Sequence, residues 1–211
     1  RWLAANYNRP GFDIINHFTY AIVSDGDLEE GVSSEAASLA GTLKLGKIVA
    51  LYDDNNISIE GNTGIAFTED VAERFRGYGW HVIGPIDGMN IASVDAAIRV
   101  GQAETTRPTL IVCKTTIGYG SPGKAGTGAA HGEPLGAEEI ALARKTLGWQ
   151  YDPFVVPEDA LAHTRLAQER GKRLQQKWQE KFEAYRKAFP EEARRLEESL
   201  IKMESERNSI E

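Results

Sequence analysis

Cysteine is almost missing from this chain. Cys113 is the single thiol among 211 residues, so no internal disulfide can form and a reducing compartment such as the cytoplasm is expected. It lies inside Leu110-Ile111-Val112-Cys113-Lys114, an apolar run that predicts a buried, inert thiol rather than a nucleophile. Excess positive charge is missing too. The formal net charge of -7 removes any general attraction to nucleic acid or an anionic membrane. No apolar stretch approaches the ~20 residues needed to span a bilayer, and no signal peptide is visible. No Gly-x-Gly-x-x-Gly follows the first strand-like segment and no Walker loop occurs, which removes two nucleotide-phosphate fingerprints. Internal repeats are absent. So is an initial methionine: the chain begins at Arg1 and its first residues read like protein interior, so a piece of a longer polypeptide is expected.

What is there suits a globular protein. Hydrophobic residues make up 41% and charged residues 26%, enough for a proper core and an ordinary surface. Phe18-Thr19-Tyr20-Ala21-Ile22-Val23 reads as a strand stopped by the turn signal Ser24-Asp25-Gly26. A helix is expected from about Glu30 to Leu43, where Ala36, Ala37, Ala40 and Gly41 would allow close packing on a sheet. Ile48 to Tyr52 reads as a second buried strand ending at Asp53-Asp54-Asn55. Thr68 is the expected cap of a helix that starts with Glu69 and Asp70, runs to about Tyr78 and stops at Gly79. A strand from Trp80 to Ile83, a helix from Ile91 to Gln102 and a strand from Thr109 to Cys113 complete the alternation. Continuous apolar strands alternating with helices predict a three-layer α/β/α parallel sheet. Right-handed crossovers then put the carboxyl ends of all strands on one edge, where ligands bind in such folds. Gly118 to Gly136 leaves that edge and is too glycine-rich for a helix or a strand, so it reads as a binding loop. Beyond Pro157 the chain turns charged and helical, with Trp178, Phe182, Tyr185 and Phe189 on one stripe. We therefore expect an α/β domain over 1–156 and a helical extension over 157–211 packing on it, with the polar stretch from Glu191 prone to fray.

Asp25 and Asn55 stand thirty residues apart, each just after a buried strand, so a strand–helix–strand unit brings both loops to the same sheet edge. Each alone is an ordinary turn former. Together they suit a hard cation, Mg²⁺ or Ca²⁺, with Asp25, Asn55 and the carbonyl of Ile57 as the protein's oxygen ligands and phosphates supplying the rest. An EF-hand starting at Asp25 fails, because Glu30 falls where glycine is required and Ala36 where glutamate is required. Gly26 would let a phosphate approach the backbone closely, and the helix after it offers free N–H groups to an anion. Glu29 and Glu30 sit next to it; beside a diphosphate they require a divalent cation or an orientation elsewhere. His17 and His81 read as structural and His163 as solvated. His131, in Ala129-Ala130-His131-Gly132-Glu133-Pro134 at the end of the glycine-rich loop, is the candidate for contacting a substrate or a phosphate.

The Asp25-Gly26 pair followed thirty residues later by Asn55 resembles the thiamin diphosphate signature. The flanking sequence is similar to transketolases. The similarity runs through Glu30-Gly31-Val32-Ser33-Ser34-Glu35-Ala36-Ala37-Ser38-Leu39-Ala40-Gly41, Asp53-Asp54-Asn55-Asn56-Ile57-Ser58-Ile59-Glu60-Gly61, Gly79-Trp80-His81-Val82, Cys113-Lys114-Thr115-Thr116-Ile117-Gly118 and His131-Gly132-Glu133-Pro134-Leu135-Gly136, weakening after about residue 155. The resemblance implies the thiamin diphosphate-binding fold and transfer of a two-carbon ketol group from a ketose phosphate, such as xylulose 5-phosphate, to an aldose phosphate in the pentose phosphate pathway. It implies that Asp25, Asn55 and the Ile57 carbonyl are the metal ligands and that Gly26 contacts the diphosphate. Glu30 would reach across a dimer interface to the second active site, Ile117 would pack near the cofactor ring, and His131 would lie between diphosphate and sugar. Ser24 stands where many members have glycine, and Gly128 replaces a histidine that often precedes the one at His131. The resemblance covers only the later part of the first domain of such an enzyme. The pyrimidine-binding domain, whose glutamate activates the aminopyrimidine from a second subunit, is outside this chain. Two other readings stay open on sequence: a non-catalytic or split-subunit assembly module, and a related enzyme such as a dihydroxyacetone synthase.

Overall fold

A computed structural model describes the backbone of residues 1–208 and the side chains of residues 1–201. In chain order the elements are α1 (Trp2–Tyr7), β1 (Thr19–Ser24), α2 (Asp25–Glu29), α3 (Gly31–Thr42) and β2 (Ile48–Asp54). A short hairpin of β3 (Ile57–Ser58) and β4 (Gly61–Asn62) follows, then α4 (Val71–Gly77), β5 (His81–Asp87), α5 (Ile91–Ala103) and β6 (Thr109–Lys114). The remaining helices are α6 (Ala129–Gly132), α7 (Ala137–Thr146), α8 (Glu158–Ala188) and α9 (Pro190–Asn208). The chain forms two compact units, His17–Gln150 and Arg1–Asn16 with the segment from Tyr151 onward.

The first unit is built on a four-stranded sheet in the order β1-β2-β6-β5, with every pairing parallel. The strands alternate their side chains between two faces, so β2 sends Ala50 and Tyr52 one way and Val49 and Leu51 the other. On one face Ala37 and Ala40 of α3, Leu28, and Val71 and Phe75 of α4 pack with Ala50, Tyr52, Leu110 and Val112. On the other, Ala97 and Ile98 of α5 pack with Val49, Ile111 and Cys113. Two helical layers thus enclose one parallel sheet, as the unbroken apolar strands imply. The small residues of α3 have the expected use: a Cβ on Gly41 would lie 1.8 Å from the Tyr78 carbonyl oxygen, and the Trp80 indole donates to the Ala37 carbonyl at 2.8 Å. Asn90 caps α5 by accepting from the N–H groups of Ala92 and Ser93.

Several local expectations shift. The cap of α4 is Asp70, not Thr68, because its carboxylate accepts from the Glu73 N–H at 2.9 Å and the helix begins one residue later at Val71. The glycine-rich loop holds one helical turn, α6. The Trp178–Phe189 stripe packs within the second unit, against Leu3, Tyr7, Phe12, Ile14 and Ile15 from the N-terminal segment and Ala193 and Leu196 of α9. Residues 1–16 therefore belong with the helices rather than with the α/β unit, since their apolar side chains complete that cluster. Trp178 donates to the Ile14 carbonyl at 2.9 Å and the Tyr185 hydroxyl to the Tyr7 carbonyl at 2.6 Å. Pro190 starts α9 after the break at Phe189, a position that suits a residue without an N–H. The polar stretch after Glu191 is helical through Asn208, with Ala193 and Leu196 buried; 209–211 lie outside the described residues.

Candidate functional site

The parallel register sets Ser24 against Asp53 and Asp54 against Lys114, so β1, β2 and β6 end side by side. Asp25 follows β1 directly as the first residue of α2. Ser24 donates from its N–H and its hydroxyl to Asp27 at 2.8 and 2.9 Å, which commits Asp27 to the helix start and leaves Asp25 to turn inward. Asp25 is 3% exposed. Its Oδ1 accepts from the buried Tyr52 hydroxyl and its Oδ2 from the Asn56 N–H at 3.0 Å. The last bond ties the end of β1 to the turn that carries Asn55. Asn55 is held in turn: its Nδ2 donates to Asp53 at 3.3 Å and its Oδ1 accepts from the Ile57 N–H at 2.9 Å. Asp53 also accepts from the Thr115 hydroxyl, and Asp54 pairs with Lys114 at 2.6 Å, so β6 braces the turn from the other side.

Burial raises the Asp25 carboxyl above the usual carboxylate range, the neighbouring Asp54 adds to the rise, and the Tyr52 and Asn56 hydrogen bonds oppose it. Among the described residues Asp25 has no basic partner, so a buried carboxylate here fits a cation. Among the described residues no three His, Cys, Asp or Glu side chains cluster as a metal site. A cation held by one carboxylate, the Asn55 amide oxygen and the Ile57 carbonyl would need oxygens from a ligand, which suits phosphate groups. A Cβ on Gly26 would meet nothing within 4 Å, so the backbone there is open to close approach. A cleft of about 460 Å³ adjoins the site, lined by Asp25, Tyr52, Asp54, Asn56, Phe67 and Lys114 among others.

The other candidate residues stand on the same edge of the sheet. Glu30 is exposed and caps α3, its carbonyl accepting from the Ser33 hydroxyl at 2.7 Å. Ile117 is half-buried just after β6, and its carbonyl accepts from the Gly126 N–H at 2.9 Å. His131 is exposed on α6. The turn before it reaches the β3–β4 hairpin, because a Cβ on Gly128 would lie 3.1 Å from the Ile59 carbonyl oxygen. The structure thus joins Asp25 with the Asn55–Ile57 turn directly and His131 with that hairpin through Gly128. His81 sits at the opposite strand end against Thr109, and His163 is exposed on α8. Sequence reasoning missed Tyr52, Asp53 and Thr115. Their signal was only an apolar strand ending in polar residues, and which of them meets Asp25 or Asn55 depends on strand register.

An open parallel α/β sheet with ligand-type residues at its carboxyl edge defines the class. Comparison with known proteins then gives the family. Residues 1–204 match the family model described as "Transketolase, thiamine diphosphate binding domain", and the chain belongs to that family. It is 54% identical to Transketolase 1 of Escherichia coli (strain K12) over 191 residues, covering 90% of this chain and 29% of that protein. It is 52% identical to the transketolase of Geobacillus stearothermophilus over 202 residues, covering 95% of this chain and 30% of that protein. A Pichia stipitis transketolase in complex with sedoheptulose-7-phosphate superposes with a TM-score of 0.88 at 43% identity over 92% of this chain and 29% of that one. A transketolase from Leishmania mexicana gives a TM-score of 0.87 at 40% identity over 90% of this chain and 29% of its own length. The chain spans about three-tenths of the relatives it matches. Among the described residues, no helix is long and apolar enough to cross a membrane.

Proposed function

We propose that this chain is the diphosphate- and metal-binding part of a transketolase that moves a two-carbon ketol group from a ketose phosphate to an aldose phosphate in the cytoplasm, in the pentose phosphate pathway. One observation carries the reading: the Asn56 N–H bond to Asp25 fastens the two arms of the signature, Asp25-Gly26 and Asn55, into one edge site. A Pichia stipitis transketolase has been solved with xylulose-5-phosphate, which supports that sugar as donor here. The residues divide the work by chemistry. Asp25, Asn55 and the Ile57 carbonyl hold Mg²⁺ or Ca²⁺, and Gly26 admits the diphosphate to the backbone. Ile117 packs beside the cofactor ring. His131, a ring N–H donor on the same edge, contacts the diphosphate and the sugar phosphate. Glu30, exposed at the start of α3, reaches a second subunit that supplies the pyrimidine-binding domain, in a homodimer or a split-subunit heteromer. Thiamin diphosphate supplies the carbon nucleophile and electron sink when bound; the chain's own residues bind, orient and neutralise.

The test is binding of thiamin diphosphate to the complete enzyme as Mg²⁺ is titrated, read by calorimetry, for the wild type and Asn55→Ala. The expected result is metal-dependent binding that Asn55→Ala weakens by roughly ten- to hundredfold, in line with loss of a group that holds a metal ligand set. Equal binding by the variant would sink the metal-site assignment. A Ca²⁺ titration in parallel sets the metal preference.

A further inference from the structure

The Gly118–Gly136 segment looks loose in sequence and is tightly held in the fold. Gly118, Gly120, Gly126 and Gly136 all have positive φ, so the chain doubles back on itself several times. The turns are packed: a Cβ on Gly118 would lie 2.8 Å from the Ala130 Cβ, and one on Gly120 2.7 Å from the Leu147 side chain. Ser121 is buried. At the base stands Glu139, in the first turn of α7. One oxygen of its carboxylate, Oε1, accepts from both the Ser121 hydroxyl and the Gly123 N–H, each at 2.6 Å.

From that oxygen a line of hydrogen bonds runs to His131. The Ser121 hydroxyl accepts from the Lys124 N–H at 3.1 Å, and the Lys124 carbonyl accepts from the Thr127 hydroxyl at 2.7 Å. The Thr127 carbonyl accepts from the Ala130 N–H at 3.1 Å, and the Gly128 carbonyl from the His131 N–H at 2.9 Å. The Lys124 ammonium closes the loop from outside by donating to the Pro134 carbonyl at 2.9 Å. At the far end Gly128 abuts the β3–β4 hairpin, which begins at Ile57.

We propose that Glu139 is a positioning residue: by gathering Ser121 and Gly123 on one oxygen it fixes the glycine-rich loop on α7 and places the turn that carries His131, whose Gly128 abuts the β3–β4 hairpin. The inference rests on the reading of His131 as the contact to diphosphate and sugar phosphate. Both bonds enter the same oxygen, so an amide oxygen can replace it and a negative charge is not required. Without the acceptor, the buried Ser121 hydroxyl loses its partner, the exposed Gly123 N–H turns to water, and the turn relaxes. A displacement of about 1 Å in a positioning group can cost about a hundredfold in rate.

The experiment uses the complete enzyme and measures KM and kcat for the ketose phosphate donor, with amide hydrogen exchange over residues 118–136, in Glu139→Ala, Glu139→Gln, Ser121→Ala and His131→Ala. Glu139→Ala is expected to raise KM roughly ten- to hundredfold and to speed exchange across the loop. Glu139→Gln is expected to restore both toward wild type. Ser121→Ala, which keeps the Gly123 bond to Glu139 but removes the Ser121 hydroxyl's bonds to Glu139 and to the Lys124 N–H, shifts both in the same direction and serves if Glu139→Ala fails to fold. A wild-type KM in Glu139→Ala and Ser121→Ala, while His131→Ala raises it, overturns the proposal and leaves the reading of His131 standing. Equal impairment of the Gln and Ala variants overturns it as well, since charge and not geometry would then matter. An unchanged KM in His131→Ala removes the reading itself.

Discussion

Asp25 gathers most of the chemistry into one side chain. It is a buried carboxylate held at both oxygens, by the Tyr52 hydroxyl and by the Asn56 N–H. Removing only the phenolic oxygen with Tyr52→Phe leaves a buried carboxylate oxygen without its donor, at a cost of about 1–3 kcal/mol. Chemical denaturation checks this, and an unchanged midpoint would show that the bond contributes nothing. Cys113 makes a second residue-scale case. Burial pushes its thiol up from the ordinary value of 9.0, with Asp53 adding to the rise. A folded-state pKa above the unfolded one gives stability that is fully present below pH 9.0 and lost as pH rises through the folded value. Folding stability should therefore decline on the alkaline side, and Cys113→Ala should flatten that decline; a thiol reagent at neutral pH should label the folded chain only slowly. The meeting of the Asp25 and Asn55 turns at one sheet edge and the burial of Cys113 were legible in sequence because turn chemistry and apolar runs are local signals. Tyr52 was not, because its hydroxyl reaches Asp25 only once β1 and β2 are in register.

At the scale of elements, the strands and helices of the α/β unit follow from hydrophobic runs and turn residues, and four strands stand within a residue or a few of their expected bounds. The errors fall where one side chain decides. Asp70 rather than Thr68 starts α4, since the carboxylate that reaches the Glu73 N–H wins the cap. The aromatic stripe of α8 is a buried face, and within its own unit its partners come from the N-terminal segment and α9. Phe182 stacks with Trp178 at 4.9 Å between ring centroids and is buried in a cluster with Tyr7 and Ile14. Phe182→Ala should destabilise the helical unit by about 3–5 kcal/mol, read as a lowered denaturation midpoint in that unit. The loop before His131 shows the same limit. Sequence shows Gly128 where the family often has histidine; only the fold shows that a side chain there would press on the Ile59 carbonyl, 3.1 Å from the Cβ position.

For the whole molecule, the chain covers about three-tenths of its relatives, and under the proposed function its site is one side of a composite one. Residues 1–211 alone should give no two-carbon transfer with thiamin diphosphate and Mg²⁺, because the group that activates the aminopyrimidine is proposed to come from another domain. Turnover by the purified chain would refute this; turnover only after addition of a pyrimidine-domain partner would support it. The parallel α/β architecture, the family and the candidate ligands could be read along the chain, because hydrophobic period, turn formers and short motifs are properties of neighbours in sequence. The tertiary structure decided which side chains orient those ligands, what holds the glycine-rich loop on α7, and that residues 1–16 pack with α8 and α9. Those outcomes depend on strand register and on contacts between residues as far as 192 positions apart among the described residues, as in Tyr7 and Ser199, which no local pattern encodes.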